Sequence, residues 1–175
     1  MSAGADSAVT TFTHRTTVPL PVERLDVSTW LFQMTDTDYA EVSGAHRALG
    51  TWQRQGRRGM VNVESIGGAL MVQHYQEEAG DAQKVVMVSP ASSMYLGNVL
   101  KFTVGVRWTM EVVPEAADRA TFHCTVQMTM HPALLRLCNL LGMQRSAQRH
   151  IDEETVGYAR DLERHARTNT LWRVR

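Results

Sequence analysis

The sequence predicts an α+β fold in which a curved antiparallel sheet of six or seven strands wraps around one long C-terminal helix, with two short helices after the first strand. Three observations predict it. From Leu100 to Val112 the apolar residues fall on even positions, and from Ala120 to Met130 they do so again, with Thr, Arg, His and Gln between them. Strict period-two alternation marks strands with one dry face and one wet face. After Pro132 the chain runs to about Arg167 with no further proline and only two glycines, Gly142 and Gly157. Its Ala147, Ile151, Thr155, Tyr158 and Leu162 recur at the spacing that aligns side chains on one helical stripe. At about 1.5 Å per residue such a helix spans a small domain. It is the element long enough to cover the dry face of the sheet.

The remaining elements follow from local chemistry. Val9 to Leu20 reads as the first strand, closed by Pro19 and Pro21, and Val22 to Met34 as a short helix. A second helix, capped by Thr37 or Asp38, is expected to run to about Leu49. Gly50 to Gly59, rich in arginine, reads as a loop. Met60 to Ile66 and Ala69 to Glu77 read as a hairpin about Gly67-Gly68. A turn over 78–83 leads to a strand over 84–89, and Pro90 to Asn98 is irregular with a short edge strand near Met94 to Leu96. One domain over 9–167 results, between a flexible N-terminus at 1–8 and a tail at 168–175 that carries Trp172.

Composition narrows the function. The 175 residues are 43% hydrophobic, enough for a sizeable core, and 18 basic residues balance 18 acidic ones. A nucleic-acid binder carries a basic excess, so no nucleic-acid partner is expected. Cys124 and Cys138 make no disulfide framework and read as buried thiols. No apolar run reaches the roughly 18 residues of a membrane span, and residues 1–8 lack the pattern of a secretory leader. The chain is therefore expected to be cytoplasmic, as a monomer or homodimer.

The segment His150 to Tyr158 carries the most chemistry. His150, Glu154 and Tyr158 stand at i, i+4 and i+8 and form a ladder beside the apolar stripe. Facing a cavity, the histidine and carboxylate serve as general base and the phenol as hydrogen-bond donor. Facing solvent, they are a surface ion pair and a packed ring. Histidine and glutamate at this spacing can also hold a metal, but no third or fourth ligand suggests itself, and neither metal nor cofactor is expected. His74 and Tyr75 point to opposite faces of their strand. His74 shares its side with Leu70 and Val72, which hints that it faces inward, whereas Met71 shares the side of Tyr75. Tyr95 is placed near a pocket mouth, and Phe102, Trp108, Met110, Phe122, Met128 and Ile151 on the interior surface. Ten methionines supply adaptable apolar volume. No phosphate loop, nucleophile elbow, zinc spacing or dinucleotide fingerprint is present.

The order of elements resembles the START-related helix-grip superfamily of lipid-transfer domains and polyketide cyclases/aromatases. Pro21-Val22-Glu23 is similar to the proline-x-glutamate entry to that superfamily's first helix. Its usual tryptophan just after that point is replaced by Asp26, and Trp30 arrives one turn later. Val104 to Val113, with Trp108, resembles the penultimate long strand, and Met130-His131-Pro132 with Leu134, Leu135 and Leu137 the break before the closing helix. The resemblance implies a deep cavity between sheet and helix and a small hydrophobic ligand such as a lipid, sterol or polyketide intermediate. It brings no catalytic residue with it. The expected function is a polyketide-type cyclase, aromatase or dehydratase. The alternative is a carrier or sensor of a lipid or other apolar metabolite.

Overall fold

The structure is a computed structural model, and it describes residues 7–168. Seven strands form one antiparallel sheet: β1 (Ala8–Val18), β2 (His46–Arg54), β3 (Arg57–Ile66), β4 (Ala69–Gly80), β5 (Lys84–Leu96), β6 (Leu100–Ala116) and β7 (Arg119–Met130), in the spatial order β1-β7-β6-β5-β4-β3-β2. Four helices accompany it: α1 (Val27–Gln33), α2 (Asp36–Val42), α3 (Pro132–Leu140) and α4 (Met143–Thr168).

The alternating strands pair as their pattern requires. Trp108 lies opposite Val126, Met110 opposite Cys124 and Val112 opposite Phe122, so one face of β6 and β7 is continuous apolar surface. The curved sheet turns this face onto α4, which buries Ile151, Tyr158, Ala159, Leu162 and Ala166 against it. Gly67 and Gly68, at φ of 58° and 83°, turn the β3–β4 hairpin through a conformation that suits glycine at both positions. Pro90, which has no N–H to donate, sits where the β5–β6 register shifts between Ser89 and Ser92.

The second half of α4 is anchored in solid core. The Trp30 indole N–H of α1 donates to Asp161 Oδ2 at 2.8 Å, and the Trp30 ring meets Tyr158 and Phe122 edge-on. The turn between α2 and β2 clamps the middle of α4. Gly44 N–H donates to Glu153 Oε1 at 3.1 Å, and Ser43 Oγ lies 3.4 Å from His150 Nδ1.

Several local expectations are corrected. The second helix ends at Val42 and does not reach Leu49; His46–Arg54 is a strand. β2 is an edge strand with only His46 buried, so its exposed polar residues show no period-two contrast. The N-cap of α2 is Thr35, not Thr37 or Asp38; Thr35 and Asp38 form a reciprocal capping box. The first helix is interrupted: a 3-10 turn covers Val22–Arg24, and Asp26 caps a new helix by accepting the Thr29 N–H. The terminal helical run is broken at Gly142, where φ is 70°, which separates α3 from α4. In addition, β5 is one bulged strand and not a strand followed by an irregular stretch. The readings for the extreme N-terminus before Ser7 and for the Trp172 tail fall outside the described residues.

Gly157 fixes how closely α2 approaches α4. A Cβ there would stand 2.5 Å from the Val42 carbonyl oxygen and 2.9 Å from Val42 Cγ1. Gly157→Ala gains about 1 kcal/mol of helix propensity but forces backbone apart. A net destabilisation of about 1–2 kcal/mol is expected by urea unfolding; a stabilised variant would contradict the α2–α4 contact.

Candidate functional site

The first half of α4 crosses the sheet over a hollow. A cavity of about 70 Å³ lies between the concave face and this helix, and its walls include Phe12 of β1, Met71 and Tyr75 of β4, Trp108 of β6, Met128 of β7 and Ile151 of α4. The wall is apolar except for Gln144 of α4 and one side where Glu64, Gln73, His150 and Glu154 reach it.

Those side chains belong to a buried polar cluster. His150 and Glu154 are one turn apart on α4, Glu64 comes from β3, and His46 opens β2; they are 6%, 3%, 6% and 4% exposed. His150 Nε2 lies 3.0 Å from Glu154 Oε2 and 3.8 Å from Glu64 Oε2, and His46 Nε2 lies 3.3 Å from Glu154 Oε2. The four residues each present one such atom, all within 4.8 Å of one another.

Surrounding groups orient them. His46 Nδ1 is 2.7 Å from the Tyr39 carbonyl oxygen, which can only accept, so Nδ1 donates. The Tyr39 ring stacks on the His46 ring at 3.8 Å, and its hydroxyl donates to Glu64 Oε1 at 2.5 Å. Gln73 Nε2 donates to Glu64 Oε2 at 3.4 Å, and the Cys124 thiol donates to Glu154 Oε1 at 3.8 Å. Among the described residues, His150 Nε2, Asn62 Oδ1, Gln73 Oε1 and the Tyr158 hydroxyl are buried without a hydrogen-bond partner. For His150 Nε2, Glu154 is near but out of line.

Burial and charge oppose each other here. Burial disfavours the imidazolium of His150, yet the adjacent Glu154 carboxylate outweighs it and holds the group at about 9. Burial likewise pushes Glu154 up, and His150 and then His46 overcome it and hold the carboxyl below its usual range. Tyr39, Tyr75 and Tyr158 are pushed well up, first by burial and then by the neighbouring carboxylates, so all three stay neutral donors.

The structure brings His150 and Glu154 together at the cavity, with Tyr75, Trp108, Met128 and Ile151 among its walls. Tyr158 is fully buried but stands behind the wall, its ring 5.5 Å from Trp108. Met110 and Phe122 are fully buried core, and Phe122 meets the Trp30 ring edge-on. Phe102 faces inward beneath α3, in a separate surface groove with Leu134 and Leu137. Tyr95 is half-buried away from the cavity, with Lys101 Nζ 5.6 Å above its ring. His74 is corrected: it is exposed, because Met71, Gln73 and Tyr75 occupy the inner face of β4 and the opposite parity faces out.

Sequence reasoning missed His46, Glu64, Gln73 and Tyr39. Glu64 was detectable, since it shares parity with Met60 and Asn62 on a recognised strand, and Gln73 shares parity with Met71 and Tyr75. His46 carried no signal once its segment was read as helix.

No family model and no curated protein sequence matches the chain. Solved structures do. A protein from Thermus thermophilus superposes at a TM-score of 0.62 with 16% identity, covering 92% of this chain and 99% of that one. The Zhui aromatase/cyclase from Streptomyces sp. R1128 superposes at 0.55 with 13% identity, covering 95% and 100%. A START superfamily protein from Mycobacterium smegmatis superposes at 0.54 with 11% identity, covering 91% and 99%. The chain has the START-related helix-grip fold. At these identities the likeness concerns architecture. Within this helix-grip chain, no described helix is long and apolar enough to cross a membrane.

Glu154→Gln removes the countercharge of His150. The imidazole pKa is expected to fall from about 9, read by ring NMR on chelator-treated protein. A raised histidine pKa contributes stability that is complete below about 6.5 and lost as pH rises through the folded value. The variant is therefore expected to be less stable by about 3 kcal/mol near neutrality, with the deficit shrinking above pH ~9. A deficit independent of pH would contradict the ion pair.

Proposed function

We propose that this protein binds a small apolar molecule in the cavity between sheet and α4 and performs an acid–base step on it, of the cyclase or dehydratase type. The observation that carries this reading is the placement of a carboxylate–imidazole pair on the wall of an otherwise greasy chamber. Burying ionisable groups costs several kcal/mol unless they are paired, and a container for a passive guest could use leucine at those positions. In the metal-free cluster, Glu154 and His150 form the proton-transferring pair and Glu64 stands within 3.8 Å of His150. Tyr75, neutral and on the cavity wall, offers a hydroxyl to a carbonyl or enolate oxygen. Tyr158 packs behind the wall, its ring against Trp108 and His46.

The volume bears on the guest. A cavity lined by apolar side chains and near 150 Å³ holds benzene, so about 70 Å³ suits a guest of a few heavy atoms. A chain of polyketide length requires the wall methionines, including Met71, Met94, Met128 and Met143, to swing aside. Reactive carbonyl groups in such a guest would meet the polar side of the chamber, where positioning supplies much of the rate.

Carriage of an apolar metabolite has one observation in its favour. Leu140 and Leu141, at the end of α3, are 86% and 55% exposed, an apolar corner suited to a donor or acceptor surface.

Native mass spectrometry of the purified protein, paired with turnover of a linear poly-β-ketone thioester, tests both readings. A co-purifying apolar compound is expected. Glu154→Gln is expected to retain binding and to lose about 10²–10⁴-fold in turnover, and Met128→Trp to lose both. Wild-type turnover in Glu154→Gln would overturn the acid–base reading; binding without turnover in the wild type would establish carriage.

A further inference from the structure

We propose that His46, Glu64, His150 and Glu154 form a binding site for one divalent transition-metal ion of the zinc type. Imidazole nitrogens and carboxylate oxygens bind zinc at about 2.0–2.2 Å, which places tetrahedral ligand atoms about 3.4 Å from one another. Three of the separations in the cluster are 3.0, 3.3 and 3.8 Å. They bracket that value, and every presented atom lies within 4.8 Å of the others. A cation fits among them with small side-chain adjustments.

The second observation is the state of the ligand atoms themselves. His150 Nε2 is buried, without an aligned hydrogen-bond partner, and turned toward the centre of the cluster. His46 is locked by the bond from Nδ1 to the Tyr39 carbonyl, which turns Nε2 toward Glu154 Oε2 and the same point, where the neutral imidazole offers a lone pair. Each carboxylate keeps one oxygen occupied elsewhere: Glu64 Oε1 by the Tyr39 hydroxyl and Glu154 Oε1 by the Cys124 thiol. The other oxygen of each turns inward, that of Glu64 also accepting a 3.4 Å hydrogen bond from Gln73 Nε2. Ligands whose far atoms are held in this way are the supporting arrangement that orients metal sites. Two carboxylates also match the charge of a divalent ion, which removes the electrostatic difficulty of placing two of them in a dry interior.

The ion sits at the polar side of the cavity. Glu64, His150 and Glu154 line the cavity, and His46 supports them from behind. An oxygen atom of a small guest can approach from the cavity as a fifth ligand, where the ion polarises it. This rests on the proposed function for the guest and its chamber and names what occupies the polar wall; with the ion bound, His150 and Glu154 act as ligands and the guest's oxygen meets a Lewis acid. Metal uptake and turnover are measured separately, so either can fail alone.

The test uses untagged protein stripped with chelator, titrated with Co²⁺ and with Zn²⁺. One equivalent of Co²⁺ retained through gel filtration is expected, with the intense visible bands of a low-symmetry four- or five-coordinate site and a rise in melting temperature. His46→Gln and Glu64→Gln, each checked for fold by circular dichroism, are expected to weaken Co²⁺ affinity by about 100-fold or more, and Tyr39→Phe by roughly 10-fold. Tyr39→Phe keeps all four ligands, so it reads the supporting shell even where a ligand variant folds poorly. The absence of stoichiometric Co²⁺ binding, or binding unaltered in His46→Gln, Glu64→Gln and Tyr39→Phe alike, would overturn the proposal.

Discussion

Four ionisable side chains share one dry interior, and the surrounding structure is organised around that fact. Isolated buried charges are costly enough that proteins pair them, neutralise them or give them to an ion. Here the histidines and glutamates come from three separate elements, β2, β3 and α4. They can meet only if the helix lies across the sheet at one height and rotation. The Trp30–Asp161 hydrogen bond and the aromatic contacts of Tyr158 set the far end of α4. The Ser43-Gly44 turn sets its middle. Between these two fixings the cluster is held, and beyond the second the helix roofs the cavity while Gln144 and Gln148 tie it to β1 at Thr10 and Thr13.

That division explains the two halves of α4. From Thr155 to Ala166 the buried face packs on continuous core. From Met143 to Glu154 the same helix roofs the cavity, and its residues there include Gln144, Ala147 and His150 as well as Met143 and Ile151. The apolar walls are partly thioether, so they can change shape at low cost. The polar side, held by hydrogen bonds to Tyr39, Gln73 and Cys124, cannot.

The legibility of the sequence followed the physics of exposure. Strands with one wet and one dry face, β6 and β7 above all, announce themselves by parity, and the helix stripe through Ile151 and Leu162 does so by its own period. The architecture was therefore readable from residues alone, and so was the His150–Glu154 pair, whose members are neighbours in sequence. Its partners were not neighbours. Glu64 lies 90 residues before Glu154, and only its parity with Met60 marked it as inward. His46 lay hidden because an edge strand pairs on one side only, exposes most of its side chains and so has no period to detect. His74 misled because Leu70 and Val72, half-buried on the outer face, imitate a core pattern.

The position of β2 at the margin of the sheet has one more consequence. The strand that delivers His46 is bonded to a single neighbour, β3, and its first residue is the one the cluster uses. Marginal strands detach at lower free energy than the protein as a whole. Peeling of this one would withdraw an imidazole from the interior and admit water to Glu154 while the other six strands and the long helix stayed in place. The integrity of the cluster therefore reports on the edge of the sheet and not on the fold's centre.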